Sequence, residues 1–241
     1  MKIDLFELWR SMGLPVRLVV IVLTMQAMGC VAVVIDRFVL LNLSVSRARG
    51  FAGQVGQAVG TGDYSRVLSL MSSVKSNHLV SYLELGLRTF LARQQAGDNA
   101  ERAAELSRRA LERKGDAISR DMNRGMNVLA STGSTAPFVG LLGTVLGIIN
   151  AFKLIGDSGS GGLGTIGVAI AEALVVTGYG LCVAIPTVLL FNWLSAKIAN
   201  YEAGLINAGA ELVDQLETGA APVVVGTDSE VQGRRAARAF S

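Results

Sequence analysis

The sequence predicts an all-α membrane protein that crosses the bilayer three times and extends long helices into the cytoplasm. Hydrophobic residues make up 51% of the 241 residues and charged residues only 17%, and the mean hydropathy is +0.46. Soluble domains carry about 25% charged residues. The deficit is concentrated in three long stretches that are almost free of charge, which is typical of membrane-spanning helices.

The first predicted span covers residues 16–42. Residues 18–35 carry no charge and lie between Arg17 and the pair Asp36-Arg37. At about 1.5 Å per residue, such a helix nearly crosses a hydrocarbon core of roughly 30 Å. A cleaved signal peptide fits less well, because no A-x-A-like site follows the run. Residues 1–15, which include Trp9, predict an interfacial helix on the periplasmic side or, alternatively, a frayed terminus.

The second and third predicted spans cover residues 128–155 and 166–195. No charged residue occurs from Asn127 to Phe152. From Ser158 to Ala196, Glu172 is the only Asp, Glu, Lys, Arg or His. The glycine- and serine-rich start of that segment predicts a short loop, 156–165, between the two spans.

The distribution of basic residues predicts the orientation in the membrane, because cytoplasmic flanks are rich in Lys and Arg. Residues 42–133 hold 13 of them, residues 153–164 hold one, and the chain from Lys197 onward holds four. We therefore expect the large loop and the C-terminus to be cytoplasmic, and the N-terminus and the short loop between the second and third spans to lie outside, on the periplasmic side. Lys2, Arg10 and Arg17 oppose this orientation mildly.

The cytoplasmic region, residues 43–127, is predicted to be helical. Asp98–Glu101 fits a capping box, and no proline follows until Pro137. The sequence thus predicts one continuous helix from this cap into the second span. The third span is expected to continue as a cytoplasmic helix over 196–218, ending at Glu217-Thr218-Gly219, and 219–241 has the composition of a disordered tail.

Glu172 is the main candidate for function, because an ionised carboxylate inside the membrane costs about 2.5–3.5 kcal/mol on insertion scales. Such a group is expected to face a protein interior or water, where it can bind and relay protons. The alternative is a structural glutamate that is hydrogen-bonded across helices. Helical spacing puts Glu172 on one face with Val176, Tyr179 and Val183. The second span presents a face of small residues, Gly140, Gly143, Thr144 and Gly147, which permits close helix packing.

Two prolines, Pro137 and Pro186, are expected to shape the second and third spans, because each removes a hydrogen bond of its helix. Thr144 and Thr177 are further polar candidates, although hydroxyls in apolar helices often bond back to their own helix.

No nucleophile–base pair, phosphate loop or Cys/His cluster occurs, so the sequence predicts no enzyme, no cofactor and no metal site. Cys30 and Cys182 are expected to be packing residues. The low aromatic content and the mixing of Arg with acidic residues argue against nucleic-acid binding.

Two stretches resemble the MotA/TolQ/ExbB proton-channel family, and the ExbB/TolQ branch is the better match. They are ALERKGDAISRDMNRGMNVLASTGSTAPFVGLLGTVLGIINAF and GVAIAEALVVTGYGLCVAIPTVLLFNWL, within about residues 111–195. The family's glutamate falls on Glu172 and its threonines fall on Thr144 and Thr177. Its prolines fall on Pro137 and Pro186. Gly178, Tyr179 and Cys182 depart from the pattern.

The resemblance implies a ring-forming homo-oligomer, a pentamer, in the bacterial inner membrane. The ring would surround a dimer of ExbD/TolR-like single-span partners, each with a membrane-embedded Asp. It also implies that the matched positions, together with Tyr179, line the interior of the ring. Proton flow would then drive work in TonB-type transport, in a Tol-Pal-type system or in gliding motility. The competing hypothesis is a passive membrane scaffold in which Glu172 is structural.

Overall fold

The computed structural model describes residues 9–59, 67–69, 71, 77–158 and 163–218, and these ranges contain helices and no β-strand. This confirms the predicted all-α class. Residues 1–8 of the predicted interfacial segment, residues 159–162 of the predicted loop and the tail 219–241 lie outside the described residues. The helices that the structure describes in full length are α1 (Leu14–Val59), α2 (His78–Gln95), α3 (Ala100–Met122), α4 (Met126–Ser158) and α5 (Leu163–Thr218).

Three of these helices are long and apolar enough to cross a membrane, as the sequence predicts. The apolar segments are Leu14–Asn42 in α1, Met126–Lys153 in α4 and Gly167–Thr218 in α5. Large apolar side chains such as Met25 and Phe138, which are 68% and 71% exposed, point outward from them. An outward apolar surface of this extent suits contact with lipid or with further membrane helices.

The chain forms two compact units, residues 1–41 with 120–201 and residues 42–119 with 202–241. In the first unit, α1 packs against α4 and α5. A small core of buried residues from the three helices and from the residues just before α1 holds them together. It consists of Met12, Val16, Val19, Leu23, Ala136, Val176, Val183 and Ala184.

In the second unit, α2 packs against α3 and against the C-terminal part of α5. Buried Ser107 donates a hydrogen bond of 2.8 Å to the carbonyl of Gly86. The ring of Tyr82 lies where a side chain at Gly209 would stand. Burial raises the pKa of Tyr82, and the nearby Glu112 carboxylate raises it further. The phenol of Tyr82 therefore stays neutral over the physiological range.

The predicted continuous helix into the second span is wrong, because the chain breaks between α3 and α4. Residues 123–125 form a turn in which Gly125 has φ +82°. Glycine tolerates this left-handed conformation, which other L-residues rarely adopt. The buried side chain of Arg37 donates hydrogen bonds to the carbonyls of Asp121 and Met122. It thereby satisfies carbonyl groups that the end of α3 leaves without a helical partner.

The cap of α3 also differs from the predicted Asp98 capping box. Asn99 caps the helix instead, since its side-chain oxygen accepts a hydrogen bond of 2.9 Å from the amide of Arg102. Asp98 lies 3.6 Å from the guanidinium of Arg102 and 3.9 Å from that of Arg93, so it forms ion pairs with both. Asparagine and aspartate are similarly good N-cap residues, and here the chain enters the helix one residue later than predicted.

Helices α4 and α5 run antiparallel and touch through glycines. A methyl group added at Gly143 would lie 2.5 Å from Cγ1 of Val176, and one at Gly147 would lie 2.7 Å from Cβ of Ala173. Near the middle of the pair, a methyl group at Gly180 would lie 2.8 Å from the backbone oxygen of Ala136. No side chain larger than hydrogen fits at these contacts without a shift of the helices.

We expect Arg37→Met to lower the thermal unfolding midpoint of the detergent-solubilised protein by several degrees. The variant removes the guanidinium donor from the carbonyls of Asp121 and Met122, of which, among the described residues, only that of Asp121 keeps a backbone donor, the amide of Arg124. A lost buried partner costs about 1–3 kcal/mol. The control is Arg109→Met, because Arg109 is exposed and makes only an i,i+4 ion pair with Glu105. Equal midpoints for the two variants would contradict the role of Arg37.

We expect Gly180→Ala to destabilise the membrane unit by about 1–3 kcal/mol, because the methyl group meets backbone that cannot rotate away. Gly178→Ala is the matched control on the same helix, since a methyl group there meets nothing within 4 Å. The measurement is the thermal unfolding midpoint of each variant in the same detergent. The packing described for α4 and α5 is refuted if Gly178→Ala is the more damaging of the two.

Candidate functional site

The candidate site lies on α5 and on the facing side of α4, within the first unit. Glu172, Thr144, Thr177 and Tyr179 are all half-buried. Ala173 and Val176, which flank Glu172 on α5, are each 1% exposed. The Glu172 carboxylate therefore stands at the edge of a packed helix interface.

The glycine contacts fix the relative heights of these residues. Gly147 faces Ala173, Gly143 faces Val176, and Gly140 faces Thr177 and Gly180. This antiparallel register puts Glu172 level with Gly147, about one helical turn from Thr144. Gly143 and Gly147, predicted as helix-shaping residues, thus set where the polar candidates stand.

The two threonines behave differently. Thr177 donates a hydrogen bond of 2.8 Å to the carbonyl of Gly140, so it joins α5 to α4. Thr144 donates at 2.7 Å to the carbonyl of Leu141 in its own helix. The hydroxyl oxygen of Thr144 keeps its lone pairs free to accept a further hydrogen bond.

Tyr179 faces α1. Its hydroxyl lies 3.1 Å from Oγ1 of Thr24, and Thr24 donates its own proton at 2.8 Å to the carbonyl of Val20. Because that proton is used, the Tyr179 O–H is the donor to Thr24. Tyr179 thus faces α1 and Thr177 faces α4. Helical spacing puts Glu172, seven residues before Tyr179, on the same side of α5 as Tyr179.

Thr24 is the partner that sequence reasoning missed. Its only signal is a hydroxyl within the apolar run of the first span, and such hydroxyls usually bond back to their own helix. Thr24 does so and accepts from Tyr179 as well. Tyr179, which departs from the family pattern, therefore has a hydrogen-bond partner on α1, the hydroxyl of Thr24.

The two prolines sit inside helices that continue through them, Pro137 in α4 and Pro186 in α5. Pro186 lines an apolar cavity of about 270 Å³ between α1 and α5, together with Tyr179 and both cysteines. Both cysteines are free thiols. Cys30 is buried as expected of a packing residue, whereas Cys182 is exposed, so the expectation of a buried position is wrong for Cys182. In the described part of the chain, no group of three His, Cys, Asp or Glu side chains is placed to hold a metal ion.

The family profile of the MotA/TolQ/ExbB proton channel family matches residues 77–205, more than half of the chain. Several relatives carry the name Biopolymer transport protein ExbB. The one from Pseudomonas putida is 46% identical over 103 residues, which are 43% of this chain and 31% of that protein.

The relative from Salmonella typhimurium is 39% identical over 119 residues, 49% of each chain. The one from Neisseria gonorrhoeae is 51% identical over 78 residues, 32% of this chain and 36% of that protein. The chain therefore spans half or less of the length of these curated relatives. The match of the family profile, which includes α4 and the membrane part of α5, shows that the chain belongs to the MotA/TolQ/ExbB proton channel family.

Proposed function

We propose that this chain is a proton-channel subunit of the bacterial inner membrane that couples the proton motive force to mechanical work in the periplasm or at the outer membrane. The observation that carries the proposal is the position of Glu172. It is the only Asp, Glu, Lys, Arg or His from Ser158 to Ala196, and it is half-buried beside the α4–α5 contact. Ionisable residues at membrane depth mark ion and proton pathways in most cases.

In this proposal Glu172 takes up a proton from one side of the membrane and releases it toward the other. Thr144 and Thr177 stand within about two turns of Glu172 on the helix pair and offer hydroxyl groups to water or to a partner carboxylate. Tyr179 holds α5 against α1 while this occurs.

The partner in the proposal is a dimer of ExbD/TolR-like single-span proteins within a pentameric ring of this chain. The outward apolar surface of the first unit supports assembly with further membrane helices. The relatives are named as biopolymer transport proteins, which favours transport over gliding motility as the process that is powered. The distribution of basic residues supports a periplasmic N-terminus and a cytoplasmic C-terminus.

The passive scaffold remains the second hypothesis. It requires Glu172 to lock helices together by hydrogen bonds. Among the described residues, the hydrogen bonds that join α5 to α4 and α1 come from Thr177 and Tyr179. These two contacts perform the locking role without the carboxylate, so the proton-linked role of Glu172 is the better supported.

We expect Glu172→Gln to lower proton flux by about a hundredfold while assembly stays intact, because an amide keeps the size and hydrogen bonding of the acid but carries no proton. The chain is co-expressed and co-purified with an ExbD/TolR-like single-span protein. It is then reconstituted in liposomes, and flux is read with an internal pH dye under an imposed potential.

The matched control for this experiment is Glu217→Gln, which removes a carboxylate from the last turn of the same helix, where it is exposed. That variant is expected to conduct like the unaltered complex. If Glu172→Gln keeps full flux, the scaffold hypothesis is correct and the proton-channel proposal fails.

A further inference from the structure

Helices α1 and α5 pack in parallel with a constant register. Thr24 pairs with Tyr179 through their hydroxyls, 155 residues apart in sequence. Phe38 pairs with Trp193 through stacked rings whose centroids are 6.1 Å apart, and 193 minus 38 is again 155. The two contacts are fourteen residues apart on both helices, which is two heptads, so the facing sides repeat every seven residues.

This register pairs two residues of opposite charge. Seven residues before Thr24 on α1 is Arg17, and seven residues before Tyr179 on α5 is Glu172. Two helical turns return each helix to nearly the same face. Arg17 and Glu172 therefore stand at the same height on the facing sides of two packed, parallel helices.

Arg17 and Glu172 are also the only Asp, Glu, Lys, Arg or His within residues 14–35, 127–152 and 158–196. Arg17 is the only Asp, Glu, Lys, Arg or His from Leu14 to Ile35, and Glu172 is the only one from Ser158 to Ala196. The second span, from Asn127 to Phe152, holds none. Charges inside a membrane usually pair with one another, because each alone is costly to desolvate. For Glu172, the chain supplies one positive charge at matching depth.

The side chain of Arg17 has another set of contacts in this structure. One terminal nitrogen donates a hydrogen bond of 2.8 Å to the carbonyl of Arg10, and the guanidinium lies 5.8 Å from the centre of the Trp9 ring. Its Nε is buried and has no hydrogen-bond partner. A guanidinium carries five N–H donors in a fork that matches a carboxylate. In this position the Arg17 guanidinium therefore uses only part of its hydrogen-bonding capacity.

We propose that Arg17 is the counter-ion of Glu172 and that its guanidinium moves between the Arg10 carbonyl and the Glu172 carboxylate as that carboxylate loses and gains its proton. The proposal rests on the proton-linked role of Glu172. Arg17 acts as a positioning residue: it lowers the cost of the ionised carboxylate without itself giving up a proton, because arginine stays protonated in proteins. The same movement breaks the contact of the guanidinium with the Trp9 ring.

Proximity is tested first, in the full chain in native membranes. In a background with Cys30→Ala and Cys182→Ala, the pair Arg17→Cys and Glu172→Cys is treated with a short bifunctional thiosulfonate, and linked peptides are detected by mass spectrometry. The matched control is Leu18→Cys with Glu172→Cys, because Leu18 is 54% exposed and adjacent to Arg17 but points elsewhere. We expect linkage at position 17 to exceed that at position 18 several-fold. Equal linkage overturns the inference.

Charge pairing is tested second, with variants of the reconstituted complex. We expect Arg17→Gln to lower proton flux about tenfold and Arg17→Lys to retain most of it, because lysine keeps the charge. The control Lys153→Gln, an exposed basic residue in the last turns of α4, is expected to leave flux unchanged. Unchanged flux in Arg17→Gln overturns the inference while the proton-channel function stands.

The thermal midpoints of Arg17→Gln, Glu172→Gln and the double variant separate the two proposals. If Arg17 and Glu172 form an ion pair, the double variant is expected to lose no more stability than the less stable single variant. The reason is that each single change leaves an unpaired charge, whereas the double change leaves none. Additive losses overturn the pairing. If the unaltered complex conducts no protons, the proposed function fails, and cross-linking and midpoints still decide whether Arg17 and Glu172 are partners.

Discussion

The structure depends on one constraint, which is that a carboxylate in the membrane must be given a polar or protein-enclosed environment. Water solvates an ion far better than lipid does, so Glu172 must be shielded, paired or protonated. The chain meets this constraint by placing Glu172 at the edge of a packed interface instead of among its outward apolar residues.

The close contact of α4 with α5 determines what stands near that carboxylate. Glycines at 140, 143, 147 and 180 let the two backbones approach, and this approach lets Thr177 reach the carbonyl of Gly140. Helix α1 then packs alongside, where the Tyr179 and Thr24 hydroxyls meet. Small residues contribute little apolar area themselves, but they thus determine the positions of the polar residues along the helix axes. The strength of the assembly comes from backbone proximity and from a few interhelical hydrogen bonds.

Much of this arrangement was predictable from the sequence, because spans in a membrane must be apolar and long. The three spans and the isolated glutamate follow from that rule. The break at residues 123–125 was missed because no proline marks it, although Gly125 is the residue type that a left-handed helix end requires. The sequence predicted the N-cap of α3 at Asp98, one residue before the observed cap Asn99, because aspartate and asparagine are both good N-cap residues. The contact of Tyr179 with Thr24 joins residues 155 positions apart, and a single sequence carries no direct signal of such a pairing.

The central claim is that Glu172 is enclosed by protein or water in the assembled membrane complex. A cryo-EM map of that complex in a lipid nanodisc, with side chains resolved, tests it most directly. The account predicts that the Glu172 carboxyl lies within hydrogen-bond reach of water, of a partner helix or of a basic group on a neighbouring helix. A carboxyl that points into the acyl chains, with none of these within reach, would contradict it.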